Sequence, residues 1–197
     1  MKKFRIDRLT LLWIAFIIYV KGSLIIHLFL AIALHELGHF LACIFTRVKI
    51  KSMYFSLFGA RMELVGHISY LKELIIATCG PLFGIIGFLI AYLFASKSTD
   101  VMTFAILSLC LSIFNLFPLN LLDGGRITKC ILCSIFPLHI SEVVMQIITF
   151  FTLFVFWLLS TYIMVKYASG LSAFVFCAIF FSKCFIFQTK NRDLESI

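Results

Sequence analysis

The chain has 197 residues, of which 62% are hydrophobic and only 13% charged, with a formal net charge of +8 at pH 7. An average soluble domain carries ~25% charged residues, so this composition excludes a soluble globular protein and indicates one polytopic membrane domain, with no polar stretch long enough for a second domain. The basic residues stand at the ends of apolar runs rather than in one patch, which is a mark of membrane topology and argues against nucleic acid as a partner.

The N-terminal Lys2, Lys3, Arg5 and Arg8 precede an apolar run with no Ala-x-Ala-like cleavage site, which reads as an uncleaved first span at 9–20. Arg47, Lys49 and Lys51 follow the next apolar stretch, so both ends of 9–45 favour the cytoplasmic side and the chain crosses twice, turning near Lys21-Gly22, with the second span at 24–45. Between 47 and 72, Val48, Ile50, Met53, Phe55 and Leu57 recur at a spacing near two. Gly59 and Arg61-Met62-Glu63-Leu64 follow, which predicts a β-hairpin at the membrane surface. A third span is expected at 75–95, interrupted by Gly80-Pro81, and a fourth at 101–116. Pro118 and Gly124-Gly125 then break the helix, and irregular backbone at this depth must line a cavity or be buried in protein. A short apolar piece at 127–135 leads to a fifth span at 143–165 and a sixth at 171–186.

The expected fold is thus an all-α polytopic membrane protein of about six transmembrane helices with a short membrane-surface β-hairpin between the second and third. Residues 1–187 form one membrane domain, and 188–197 a polar cytoplasmic tail. With both termini inside, all basic residues except Lys21, Lys97 and Lys166 fall on the cytoplasmic side.

Within the second span, His35-Glu36-Leu37-Gly38-His39 places three ionisable groups where lipid should be. Each costs ~2.5–3.5 kcal/mol at a bilayer centre on insertion scales, so the cluster needs an interior position and a partner. Residues i and i+4 share a helix face, which allows His35 and His39 to bind one Zn²⁺ while Glu36 serves as general base on water. A hydrolytic zinc site requires a third protein ligand and an open position. Elimination points to Asp123: the other acidic residues lie at span ends, in the surface loop or in the tails, whereas Asp123 follows a broken helix end beside two glycines. Asp-Gly-Gly is also ordinary turn chemistry, the bland alternative.

His35-Glu36-x-x-His39, Asn115-x-x-Pro118 and Asp123-Gly124-Gly125, with a weaker match at Gly80-Pro81, resemble the site-2 proteases, intramembrane zinc metalloproteases, and within them the bacterial stage IV sporulation protease branch. The resemblance implies one Zn²⁺ per subunit held by His35, His39 and Asp123, with Glu36 as the catalytic base. Asn115 resembles the family's asparagine that holds substrate or stabilises the oxyanion. It further implies a membrane-associated substrate such as a pro-sigma-factor or similar tethered regulator, cut near the cytoplasmic face of the cell membrane, and leaves room for an inhibitory membrane partner and for a homo-oligomer. Members often carry a proline two residues before the aspartate, where this chain has Leu121, and the sporulation branch usually ends in a CBS domain, which is not expected here; nor is a PDZ domain.

A substrate helix must unwind before cleavage, and the strand around Tyr54 and Phe55 is a candidate edge for capturing it by β-augmentation. The alternative to a protease is a membrane metal transporter or metal-binding regulator using the same ligands, although 146–161 offers few polar residues for a transport path. Gly80, Gly84 and Gly87 read as a helix-packing face and His27 as an interhelical hydrogen-bonding residue. His67 and His139 read as interfacial, and Cys130-x-x-Cys133, with no second ligand pair, as a weak motif. The remaining cysteines fall mostly within apolar runs, as small buried hydrophobes rather than a disulfide framework.

Overall fold

Apolar runs this long must satisfy their backbone groups internally, which in a bilayer means helix. The computed structural model describes residues 3–6, 22–56, 59–64, 66, 68–94 and 98–167. It is mostly helical: α1 spans Gly22–Phe45, α2 Tyr70–Phe94, α3 Thr99–Asn115, α4 Asp123–Ile135 and α5 Leu138–Tyr167. Three stretches are long and apolar enough to cross a membrane, Leu24–Phe45, Tyr70–Phe94 and Leu138–Lys166, while Thr99–Asn115 is apolar but shorter. The expected first and sixth spans and the polar tail lie outside the described residues.

The expected interruption at Gly80-Pro81 does not occur. α2 runs unbroken through Pro81, which is buried. Proline removes a single rung of the helical ladder, and in transmembrane helices close neighbours and local adjustment offset that loss. α2 also begins earlier than expected, at Tyr70, which places Glu73 in its first turn.

α2 is the hub of the bundle, packing on α1, α3 and α4. Against α3 the approach is close: Ser108 Oγ donates to the Gly84 carbonyl at 2.9 Å, and both Ser108 and Ser112 are fully buried. Small residues at such a seam let backbones approach where lipid supplies no hydrophobic drive for association. Against α1, Ala42, Cys43 and Ile76 form a buried cluster.

Beyond Asn115 the chain leaves helical geometry, as Pro118 predicts, and turns through Leu119 and Leu122, which bury against Leu153 of α5. A new helix, α4, then starts at Asp123 itself. Lys129 Nζ on α4 donates to Glu142 Oε1 on α5 at 3.1 Å, tying these two helices together.

Three strands complete the described structure: β1 at Lys3–Ile6, β2 at Ile50–Ser56 and β3 at Gly59–Leu64, in the order β1-β2-β3. β2 pairs antiparallel with β3 and parallel with β1, with Tyr54 opposite Arg5 and Phe55 opposite Ile6. This corrects the expectation that Tyr54 and Phe55 offer an open edge, because β2 is the central strand. The N-terminal Lys3-Phe4-Arg5-Ile6 reads as a basic membrane flank, yet it alternates charged and apolar residues at the period of a strand.

Candidate metal centre

α1 turns by roughly 100° per residue, so His35 and His39 project from one face and Glu36 from its margin. Both histidines are buried, and Glu36 is half-buried. Asp123 reaches the same point from α4, where it is the first helical residue and 8% exposed. Its Oδ2 lies 3.0 Å from His35 Nε2 and 3.0 Å from His39 Nε2, and the two imidazole nitrogens are 3.2 Å apart. Among the described residues this is the group of histidine, cysteine and acidic side chains arranged to hold a metal ion.

The donor chemistry fits a cation. His39 Nδ1 lies 2.8 Å from the Ile76 carbonyl and must donate its hydrogen there, which in the neutral ring leaves a lone pair on Nε2. That lone pair faces a carboxylate oxygen, so two acceptors meet in a buried site and repel unless a positive centre lies between them. A tetrahedral zinc with ligands at ~2.0–2.1 Å sets its ligand atoms about 3.3 Å apart, close to the triangle observed. Three protein donors leave a fourth position open, as in hydrolytic zinc sites.

Close backbone approach builds both halves of the site. A Cβ on Gly80 would lie 2.2 Å from His39 Nε2, so the absence of a side chain there makes the room the ring occupies. A Cβ on Gly124 or Gly125 would lie 2.1 Å from the Leu116 or Leu119 carbonyl oxygen, so the two glycines let the turn fold back over the start of α4. Residue-type reasoning takes Gly80 for packing and misses the Ile76 carbonyl, because a backbone acceptor leaves no trace in residue identity.

The structure brings His35, His39 and Asp123 together. Asn115 closes α3 and lies outside that triad: its Nδ2 donates to the Leu111 carbonyl at 3.0 Å, and the second amide hydrogen remains for another acceptor. Tyr54 and Phe55 lie on the central strand of the sheet. His27 approaches Asp100 at 3.9 Å, and His139 is exposed. Cys130 is buried on α4, and burial, with Glu73 adding to it, pushes its thiol up to about 11.

Two buried imidazoles on an apolar helix and a buried carboxylate at the start of α4, with a glutamate next to the first histidine, form a candidate metal centre with the ligand set of hydrolytic zinc sites. Comparison with known proteins agrees. Residues 95–159 match Peptidase family M50, a stretch that holds Asn115 and Asp123 but not the His35-to-His39 motif. The chain is 36% identical over 118 residues to "Zinc metalloprotease MJ0392" of Methanocaldococcus jannaschii, over 55% of this chain and 34% of that relative. It therefore spans about a third of the length of the curated relative it matches. Its fold is similar to that of "Site-2 Protease from Methanocaldococcus jannaschii", with a TM-score of 0.66 and 21% identity, covering 93% of this chain and 90% of that one. About a third of the chain thus matches the family M50 model and the fold is like that of a site-2 protease, and zinc is the ion that the matched family implies for a site such as that of His35, His39 and Asp123.

Proposed function

We propose that the protein is an intramembrane zinc endopeptidase that cuts a membrane-associated regulatory protein near the cytoplasmic face. The observation that carries this reading is the convergence within 3.2 Å of His35 and His39, on an apolar helix and flanking Glu36, with the buried Asp123. Zinc, when bound, supplies Lewis-acid polarisation of a carbonyl and lowers the pKa of a water to ~7. Glu36 takes the proton from the attacking water and returns it to the amide nitrogen as the carbon–nitrogen bond breaks. The second amide hydrogen of Asn115 is assigned to the carbonyl oxygen as negative charge develops on it. Apolar helices around the site exclude bulk water and strengthen each of these interactions.

Six spans with both termini cytoplasmic remain the topology we favour. Arg47, Lys49 and Lys72 lie at the end of the bundle nearest His39, which supports a cytoplasmic orientation for the site. His39 is six residues from Phe45, or ~9 Å along the helix at 1.5 Å per residue. An unwound substrate segment would pair with a sheet edge, and since β2 is paired on both sides the strand we assign to this role is β3. The resemblance at Asn115-x-x-Pro118 and Asp123-Gly124-Gly125 supports the sporulation branch, a pro-sigma-factor-like substrate and control by a membrane partner.

The test is cleavage of a membrane-tethered candidate substrate by the purified protein in detergent. Chelation should abolish cleavage, and one equivalent of zinc should restore it. Cleavage that survives complete metal removal contradicts the reading, and zinc uptake into liposomes without cleavage would mark a transporter instead.

A further inference from the structure

Asp123 presents its two oxygens to different partners. Oδ2 faces both imidazoles, whereas Oδ1 lies 3.7 Å from Nη1 of Arg126, one turn further along α4. Arg126 is in turn anchored across the helix interface, with its Nε 3.6 Å from Oε1 of Glu73 in the first turn of α2. The three side chains are joined by contacts that run from the exposed to the buried, with side-chain exposures of 36% for Glu73, 30% for Arg126 and 11% for Asp123.

An ion pair in open solvent contributes little, but one member here is a buried carboxylate aimed at a metal position. The guanidinium is a planar fork that engages two carboxylates at once, and its i,i+3 spacing from Asp123 sets it over the same helix face. A carboxylate that offers both oxygens to a metal fills two coordination positions, and one that offers a single oxygen leaves a position open. Hydrolysis depends on that open position.

We propose that Arg126, steadied by Glu73, is a positioning residue that holds Oδ1 of Asp123 away from the metal, so that Asp123 ligates through Oδ2 alone. This rests on the zinc reading above. The packing of α4 on α2 and the capture of Oδ1 are then one device, because the contact that docks the helix also orients the ligand.

Cobalt substitution tests this without reference to activity. The full-length protein is loaded with Co²⁺, and both its visible absorption and its Co²⁺ affinity against a competing chelator are measured. The unaltered protein should show the intense bands of four-coordinate cobalt. Arg126→Ala should bind roughly 10–100-fold more weakly and shift to the weaker bands of a higher coordination number. Arg126→Lys, which keeps the charge without the fork, should fall between the two. Glu73→Gln leaves the arginine in place but loosens it, and should move the spectrum in the same direction, which keeps the test decisive if Arg126→Ala fails to fold. Unaltered spectra in Arg126→Ala and Glu73→Gln overturn the proposal, whatever happens to affinity. If the unaltered protein takes up neither Co²⁺ nor Zn²⁺, the zinc reading itself has failed and this inference falls with it.

Discussion

His39 donates through Nδ1 to the carbonyl of Ile76 at 2.8 Å, so α2 fixes both the orientation of the ring and the nitrogen left to bind metal. One turn along α2 from Ile76, Gly80 leaves the space in which the ring lies. A proposed metal ligand on α1 is thus set by a helix to which none of the three proposed ligands belongs.

Gly80→Ala should therefore damage the metal centre while leaving the helix intact, because the added methyl would lie 2.2 Å from His39 Nε2. Alanine is the better helix former, so local backbone stability should not fall. Zinc affinity, measured against a competing chelator, should drop by roughly 10–100-fold, the range seen when groups that orient a ligand are altered. Unchanged affinity would show that the ring has another place to go.

Asp123→Asn keeps the shape of the side chain and removes its charge. Bound zinc, measured by elemental analysis of the purified protein, should fall well below one per chain, with similar losses in His35→Ala and His39→Ala. Full zinc occupancy in Asp123→Asn would remove the carboxylate from the ligand set and leave α1 with a different third partner.

These residues also mark what a reading of the chain alone reaches. His35, Glu36 and His39 are legible because charge inside an apolar run has few explanations, and Asp123 because the other acidic residues lie at span ends or in polar segments. The continuity of α2 through Pro81 is not legible, since the local rule for proline is overridden by the packing of neighbouring helices. Nor is the start of α4 at Asp123, where Gly124-Gly125 looks like turn chemistry until the close approach of the Leu116 and Leu119 carbonyls is seen. β1 is hidden by its own charge, which suits a membrane flank as well as a strand, and with it goes the central position of β2.

Asn115→Leu separates its proposed role from a merely structural one. Its amide already spends one hydrogen on Leu111, so losing that helix-terminal bond should cost about 1 kcal/mol of stability. Loss of a hydrogen bond to the developing oxyanion should lower kcat by about 10²–10³-fold with zinc content unchanged. A loss of stability with normal kcat per bound zinc would confine Asn115 to the helix end.

Cys130 should be inert in the folded protein. Burial and the nearby Glu73 raise its thiol pKa to about 11, so at pH 8 it is protonated as well as covered. The sign follows directly: thiolate, the reactive form, appears only as pH approaches that raised value, whereas in the unfolded chain it appears near ~8.5. Maleimide at pH 8 should leave Cys130 unmodified in the folded protein and label it in denaturing detergent, read by mass spectrometry of the peptide. Rapid labelling of folded protein would mean that α4 does not pack as described.

The most direct measurement concerns Glu36, which lies between the two histidines on α1 and is assigned the proton transfer. Zinc content and cleavage of a tethered substrate should be measured together for the unaltered protein and for Glu36→Gln. Glu36→Gln is expected to hold zinc at the unaltered stoichiometry and to cleave at least ~10²-fold more slowly, the least that a positioned general base contributes. Cleavage by zinc-loaded Glu36→Gln within a few-fold of the unaltered rate would contradict the assignment of Glu36 as the base and, with it, the hydrolytic mechanism built on this site.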